Sequence, residues 1–370
     1  MSRCHVSTRK GLFTLERSGG GWRIARTSFV GDNVTLAMHD PRNGHLLAAL
    51  NHGHFGIKMH RSTDGGATWS EVAAPQYPEK PEGYKPKTPV EGAPVEWSLK
   101  LVWALEPGGA GEPGVVWCGT LPGGLFRSED GGDSWTLNRP LWDDPRREEW
   151  FGGGADQPGI HSICVDPRDA NHVTVGVSCG GVWTTRDAGK SWTLAAKGMR
   201  AAFMPPERQY EENVQDPHML AQCHSNPDVL WVQHHNGIFK SADAAKTWTE
   251  ITGVEPSTFG FAVAVHPADP DTAWFVPGTS DEKRCPVDGR VVVTRTRDGG
   301  KTFDTVTHGL PQQHAYDLVY RHALDVDATG NTLIFGSTTG SVWVSEDGGD
   351  SWQALSSNLP PVYAVTFEQA

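Results

Sequence analysis

One eight-residue motif occurs six times in this chain, and it constrains the fold more than any other feature. The copies follow the pattern Ser/Thr-x-Asp-x-Gly-x-Ser/Thr-Trp/Phe, with Ala245 replacing the glycine in one copy. Their aspartates are separated by 66, 57, 56, 55 and 49 residues. These aspartates are Asp64, Asp130, Asp187, Asp243, Asp298 and Asp347. A short motif that recurs at such a period indicates a repeat architecture in which each copy marks one structural unit.

The motif has the composition of a tight turn between two strands. An aspartate carboxylate can accept hydrogen bonds from the backbone N–H groups that follow it. The glycines allow positive φ without a Cβ clash, and the flanking hydroxyls can tie the two arms of the turn together. The aromatic residue begins the next strand and is large enough to pack against a neighbouring unit. We therefore expect the six aspartates to be structural residues.

The six copies resemble the Asp-box, or BNR repeat, of sialidase-like and sortilin-like β-propellers, and the resemblance covers the whole chain. It implies a propeller whose boxes lie on the periphery, away from the active face. It is less specific for activity, because Asp-boxes occur in sialidases, xyloglucan-cleaving enzymes, sorting receptors and photosystem assembly factors.

Each repeat contains four short apolar strands separated by turn residues, which is the pattern of a propeller blade. We place six blades at 34–72, 98–138, 160–196, 218–251, 260–306 and 315–355. A worn copy of the motif at 11–22 has Arg17 at the aspartate position, and residues 1–26 lack an innermost strand. Residues 361–369 supply one. The sequence thus predicts a single all-β domain, 1–370, that forms a seven-bladed propeller closed by both termini, without an unpaired edge.

Composition excludes several classes of partner. The net charge of -12 and the sequence pI of about 5.7 argue against binding to nucleic acid or to an anionic membrane surface. The first residues contain no signal-peptide pattern and no apolar run has transmembrane length, so we expect a cytoplasmic protein. None of the six cysteines forms a CxxC pair, and we expect most of them to be buried thiols.

Strand direction assigns the connections to two faces of the propeller. We call the four strands of a blade A to D from the channel outward. The boxes lie at the C-to-D turns, and the D-to-A and B-to-C connections lie at the opposite end, here called the loop face. Long connections at 73–97, 139–159, 197–217 and 278–289 all belong to the loop face. Long loops gathered on one face of a rigid scaffold are usually functional.

Histidines are concentrated on the loop face, at B-to-C turns or near the starts of A strands. Neutral imidazoles are common ligands of transition metals and also act as general bases near neutral pH. We predict a divalent transition metal held by His161, His218, His234 and His314. We assign catalysis to His161, His218, His314 and Glu96. Substrate contacts are predicted for Arg9, Lys10, Trp97, Trp150, Tyr210, His52 and His54. Further carboxyl groups that could face the same mouth are Asp156, Asp216, Asp281, Glu282 and Asp317.

These residues favour a hydrolase or lyase acting on a small polar or carbohydrate-like ligand at the loop-face mouth of the channel. A non-catalytic interaction or assembly scaffold is the first alternative. An Asp-box glycosidase is the second, and it requires two carboxyl groups about 5–5.5 Å apart for retention or about 6.5–9.5 Å apart for inversion. Sialidase activity itself is not expected, because the chain lacks an Arg-Ile-Pro motif and offers only Arg9-Lys10 near its start.

Overall fold

The computed structural model describes residues 2–83, 97–153 and 155–369. The described chain forms seven four-stranded antiparallel sheets. The prediction of an all-β, seven-bladed propeller is therefore confirmed. Within the described residues, no helix has the length and apolar composition required to cross a bilayer. The described cysteines are all free thiols, and five of the six are buried.

The strands follow one another regularly along the chain. The first three are β1 (Arg3–Thr8), β2 (Gly11–Ser18) and β3 (Gly21–Ser28). The next blades contain β4 (Val34–Asp40), β5 (His45–Asn51), β6 (Ile57–Ser62), β7 (Ser70–Val72), β8 (Leu101–Pro107), β9 (Val116–Leu121), β10 (Leu125–Ser128), β11 (Thr136–Leu137), β12 (Ile160–Val165), β13 (Val173–Val177), β14 (Gly181–Thr185) and β15 (Thr193–Leu194). The remaining strands are β16 (Pro217–Gln222), β17 (Leu230–His234), β18 (Gly237–Ser241), β19 (Thr249–Ile251), β20 (Gly260–Val265), β21 (Ala273–Pro277), β22 (Val293–Thr296), β23 (Asp304–Val306), β24 (Leu324–Val326), β25 (Leu333–Gly336), β26 (Val342–Ser345), β27 (Gln353–Ser356) and β28 (Val362–Phe367).

Helical segments are short and lie in the connections. One α-helix, α1, spans Arg139–Trp142. Single 3-10 turns span Gly53–Phe55, Pro145–Glu149, Pro206–Arg208, Glu212–Val214 and Val287–Gly289. All of these turns belong to D-to-A or B-to-C connections, so the extra chain length lies on the loop face.

Both ends of the propeller sequence share one blade, as the sequence predicts. This sheet has the order β28-β1-β2-β3, so β28 is its innermost strand. The β1–β28 pairing is antiparallel and places Cys4 opposite Phe367 and Val6 opposite Val365. The ring is thereby closed by backbone hydrogen bonds between segments at opposite ends of the chain, which removes the unpaired strand edge that an open ring would leave.

The six motif turns share one hydrogen-bond pattern, which the second copy illustrates. Ser128 Oγ donates to Asp130 Oδ1 over 2.7 Å and accepts from Gly132 N over 2.8 Å. Asp130 also accepts from Ser134 N and Ser134 Oγ, at 2.9 and 2.6 Å. Trp135 Nε1 donates to the carbonyl of Ala73 in the preceding blade over 2.9 Å. Each carboxylate is thus bonded within its own turn, and in the first four copies the tryptophan also donates a hydrogen bond to the preceding blade.

Candidate functional site

A cavity of about 380 Å³ lies at the loop-face mouth of the channel, where the inner strands begin. Part of its wall is aromatic and is formed by Trp103, Phe261, Tyr320 and Tyr363. Another part carries ionisable groups, namely Asp216, His218, His235, Asp281, Arg284, Arg321 and His322. Apolar surface combined with a few convergent polar groups is typical of a small-molecule site.

Asp216 is the centre of the ionisable wall. It immediately precedes β16, and its backbone carbonyl accepts from His235 N in the β17–β18 turn over 3.0 Å. The side chain is 4% exposed. Its Oδ1 accepts from Cys179 N at 3.0 Å and from Ser178 Oγ at 3.3 Å, both in the preceding blade. Asp216 is therefore fixed by contacts from two blades, and its Oδ2 is left facing the imidazoles.

His218 has its tautomer set by the backbone. Its Nδ1 lies 2.6 Å from the carbonyl oxygen of Gly260, and a carbonyl can only accept, so Nδ1 carries the hydrogen. In the neutral ring, Nε2 is then a lone pair, and it lies 3.5 Å from Asp216 Oδ2. The ring also stacks on Phe261, with centroids 4.5 Å apart and planes 13° apart. In this tautomer Nε2 is the ring atom of His218 that is free to bind a proton or a metal ion beside Asp216 Oδ2.

His235 approaches the same carboxylate oxygen from the B-to-C turn. Its Nδ1 lies 3.4 Å from Asp216 Oδ2, and its ring centroid lies 5.4 Å from that of His218. Two ligand atoms about 2.1 Å from one zinc ion at the tetrahedral angle lie about 3.4 Å apart. A metal site of this kind needs three or more His, Cys, Asp or Glu side chains with ligand atoms close together. In the part of the chain that the structure describes, Asp216, His218 and His235 are the sole such group with all ligand atoms within 4.8 Å of one another.

The charges within this trio are coupled. Burial works to raise the pKa of Asp216, but hydrogen bonds with His218 and His235 and charge interactions with His218 and His234 hold it well below its ordinary value. Burial works to lower the pKa of His235, but the interaction with Asp216 outweighs it and raises that pKa. The carboxylate therefore remains ionised and gives this corner of the cavity a negative charge.

A tight turn carries Arg321 and His322 into the mouth. Ala323 N donates to the carbonyl of Tyr320 over 2.9 Å, which places the two residues at the corner of the turn. Arg321 Nε donates to the carbonyl of His218 over 2.8 Å, and His322 Nε2 donates to the carbonyl of His161 over 2.7 Å. The turn therefore binds two inner strands from other blades and forms part of the cavity wall.

The four histidines predicted as metal ligands do not converge, which corrects that grouping. Only His218 belongs to the trio. His161 is fully buried in β12, where its Nδ1 lies 2.8 Å from Ser162 Oγ. The ring nitrogens of His234 lie 3.0 and 3.1 Å from the backbone nitrogens of Asp216 and Asn236, so neither points at the cavity. His314 is exposed in a loop, at a φ of 54°.

The other predicted site residues lie away from the cavity wall, apart from Glu96, which falls outside the described residues. Arg9 and Lys10 are exposed, and Tyr210 is 66% exposed. Trp97 packs edge-on against Trp142, with ring centroids 5.2 Å apart.

Trp150 is 5% exposed and donates from Nε1 to Asn213 Oδ1, so it is a core residue. The two predicted histidines of the β5–β6 turn also have other contacts. His52 lies 3.7 Å from Asp32, and His54 packs on Phe55.

The β17–β18 turn contributes a residue to the trio, but that residue is His235 and not the predicted His234. Successive side chains of a strand point to opposite faces, and His234 still belongs to β17, whereas His235 has left it. Arg284, Tyr320, Arg321 and Tyr363 were not anticipated. Arg284, Tyr320 and Arg321 lie outside the strands, so no strand periodicity indicates them, whereas Tyr363 lies in β28.

Comparison with known proteins finds sequence similarity to xyloglucanases and structural similarity to other β-propellers. No family model matches it. It is 27% identical over 250 residues to the oligoxyloglucan-reducing end-specific xyloglucanase of Emericella nidulans, a match that covers 66% of this chain. The chain spans about a quarter of that relative, since the match covers 26% of its length.

Solved structures show the same fold. An ancestral GH74 enzyme superimposes with a TM-score of 0.55 at 17% identity, covering 91% of this chain and 38% of the other. A putative 6-phosphogluconolactonase from Bacteroides fragilis superimposes with a TM-score of 0.58 at 11% identity, covering 99% of this chain and 97% of the other. At these identities the likeness establishes the propeller alone.

Proposed function

We propose that this chain is a hydrolase that acts on a carbohydrate-like substrate in the mouth cavity, with Asp216, His218 and His235 holding a divalent transition metal. The observation that carries the proposal is the approach of three ligand atoms to one another on one wall of a cavity. Two imidazoles and one carboxylate form a common catalytic metal site that leaves positions open for water and substrate. The similarity to a xyloglucanase supports a carbohydrate-like substrate.

The contacts around the trio suit a metal site. A metal-ligating histidine usually donates its other ring N–H to a carbonyl or carboxylate, and His218 donates Nδ1–H to Gly260. A ligating carboxylate is usually hydrogen-bonded as well, and Asp216 accepts from Ser178 and Cys179. The chain's own residues therefore orient both ligands before any ion binds.

A bound divalent ion would polarise a water molecule or a substrate oxygen. The protein positions the substrate against it. Trp103, Tyr320 and Tyr363 present aromatic surface that can contact the apolar face of a sugar ring. His235 is the most exposed ligand of the trio, with 23% of its side chain accessible, and it faces the open part of the cavity.

A two-carboxyl glycosidase fits the cavity less well. Asp216 and Asp281 are the carboxyl groups that line it. Asp281 is ion-paired with Arg284, and the depressed pKa of Asp216 keeps it ionised. A glycosidase needs one carboxylic acid that is still protonated at working pH. A scaffold is also less well supported, because scaffolds bind partners on broad surfaces and this face has a cavity with ionisable walls.

The proposal is tested by metal analysis and turnover on the same preparation. The purified chain is loaded with Zn²⁺, Mn²⁺ or Co²⁺, its bound metal is measured, and it is assayed on xyloglucan oligosaccharides and a panel of chromogenic glycosides. We expect one equivalent of metal and hydrolysis that a chelator abolishes. His218→Ala should lose both, whereas His224→Ala, an exposed residue on the box face, should retain both.

Three results would contradict parts of the proposal. If no loaded preparation retains bound metal, the metal-binding part of the proposal is wrong. Hydrolysis that survives chelation assigns the chemistry to the side chains alone. An unsaturated product, detected by ultraviolet absorbance, identifies a lyase instead of a hydrolase.

A further inference from the structure

Arg321 is a cation without a carboxylate partner in the wall of the mouth cavity. It lines the cavity and makes one hydrogen bond within the described residues, from Nε to the carbonyl of His218. No ion pair is formed by its guanidinium in that part of the chain. Its two terminal nitrogens, which carry four N–H groups, are left to face the cavity.

Other buried arginines of this protein have their charge satisfied. Arg42 forms a bidentate pair with Asp40, with both distances 2.7 Å, and also donates to the carbonyls of Glu112 and Val115. Arg295 has a side chain that is 4% exposed and pairs with Asp304 and Asp350 at 3.1 and 2.8 Å. Both of these arginines are thus paired with carboxylates.

The second arginine of the cavity is also paired. Arg284 Nε donates to Asp281 Oδ1 over 3.0 Å. Both cavity arginines lie over the ring of Phe261, with Cζ-to-centroid distances of 5.5 Å for Arg284 and 5.8 Å for Arg321. The two arginines therefore lie at the same place in the cavity but differ in their ion pairs, so Arg284 serves as the matched control for Arg321.

The guanidinium of Arg321 is held firmly in place. Its Cζ lies 4.4 Å from the centroid of Trp103, and the backbone on both sides is fixed by the turn from Tyr320 to Ala323. An arginine guanidinium keeps its positive charge at neutral pH. A half-buried, positioned arginine without a carboxylate partner is suited to bind an oxyanion, because the fork of N–H groups matches its two oxygens.

We infer that Arg321 binds an anionic oxyacid group, a carboxylate or a phosphate, on the substrate of this cavity. The inference rests on the proposed function, which places the substrate in this cavity. It adds that the substrate is negatively charged. The aromatic walls would contact the sugar ring, while the acidic substituent would bind the terminal nitrogens of Arg321. The substrate class is therefore an acidic sugar, either a uronate or a sugar phosphate.

The test measures binding by calorimetry on the metal-loaded full chain at low ionic strength, without turnover. The probes are glucuronate, galacturonate, glucose 6-phosphate and glucose. We expect at least one acid to bind about 10-fold more tightly than glucose, and the better of the uronate and phosphate arms identifies the group. Arg321→Gln should remove that preference, while Arg284→Gln should change it by less than about 3-fold.

Two further measurements separate a folding defect from a lost contact. Zn²⁺ affinity in Arg321→Gln should match that of the unaltered protein, which shows that the trio is intact. Arg321→Lys, which keeps the charge but loses the fork, should retain part of the preference.

Equal binding of acids and glucose, no binding of any acid, or a preference that persists in Arg321→Gln would each overturn the inference. Hydrolysis of neutral glycosides without any preference for acids would overturn it and leave the proposed function standing. Binding of acids without any hydrolysis would contradict the proposed function and leave the inference about Arg321 standing.

Discussion

The box turns and the mouth cavity use the same residue types at opposite faces of the propeller. Asp130 accepts from Ser128 and Ser134, all within one turn. Asp216 instead accepts from Ser178 and Cys179 of another blade, and its second oxygen faces two imidazoles. A carboxylate satisfied by its sequence neighbours stabilises a turn. A carboxylate held by distant segments, with one oxygen left over, is available for chemistry.

The largest effect should come from neutralising the carboxylate of the cavity. Asp216→Asn keeps an acceptor for Cys179 N but removes the negative charge that holds a cation. We expect metal affinity to fall by at least about 100-fold, with the fold retained. Isothermal titration with Zn²⁺ measures the affinity, and circular dichroism monitors the fold.

Asp281→Asn is the matched control, since Asp281 lines the same cavity but lies outside the trio. Its metal affinity should stay within a few-fold of that of the unaltered protein. Equal losses in the two variants would show that the cavity acts through its general charge.

A box variant should show the opposite behaviour, with stability lost and function kept. Ser128 is 1% exposed, and Ser128→Ala would leave Gly132 N–H without its acceptor. We expect a loss of about 1–3 kcal/mol in the free energy of unfolding. Urea denaturation measures it, and metal affinity should not change. A fall in metal affinity at constant stability would mean that the two faces are coupled.

Acid should weaken the boxes over a defined pH range. Burial would raise the pKa of Asp130, but hydrogen bonds from Ser134 and Ser128 lower it from its ordinary value of 3.8 to about 2. Because the folded pKa is depressed, this stabilisation is present above about pH 3.8 and is lost as the pH falls towards 2. Thermal melting between pH 5 and pH 2 should therefore show a smaller acid-induced decrease in Asp130→Asn. Identical decreases in both proteins would contradict the assignment.

The smallest effect concerns one backbone position of the third box. Ala188 has a φ of 57°, where the equivalent Gly65 and Gly131 have φ values of 66° and 72°. A left-handed conformation costs an alanine free energy that glycine does not incur. Ala188→Gly should raise the free energy of unfolding by up to about 1 kcal/mol. Calorimetric melting measures it, and destabilisation would show that the methyl contact matters more than backbone strain.

The fold could be predicted because its signal is local and repeated. Each box fixes the direction of two strands, and the worn copy at Arg17 still lies in the β2–β3 hairpin, where it pairs with Trp22. The pairing of β28 with β1 could also be predicted, because residues 1–26 lacked an innermost strand and residues 361–369 formed a strand that belonged to no other blade.

From the sequence, the candidate site could be assigned to the loop face but not to particular residues. Choosing between His234 and His235 requires knowing where β17 ends, to within one residue. Arg321 reaches the mouth through a turn stabilised by carbonyls of two other blades, and no local pattern encodes those contacts. His161 begins an inner strand as predicted, but its ring turns into the packing beside Trp103.

The strand that closes the ring, β28, also forms part of the wall of the mouth cavity, so the order of synthesis determines when that wall is complete. Tyr363 of β28 lines the cavity, and Ala364 bridges His322 in the turn that also carries Arg321. During synthesis, every ligand of the trio emerges from the ribosome well before β28. The cavity wall would therefore be complete only after β28 has paired with β1.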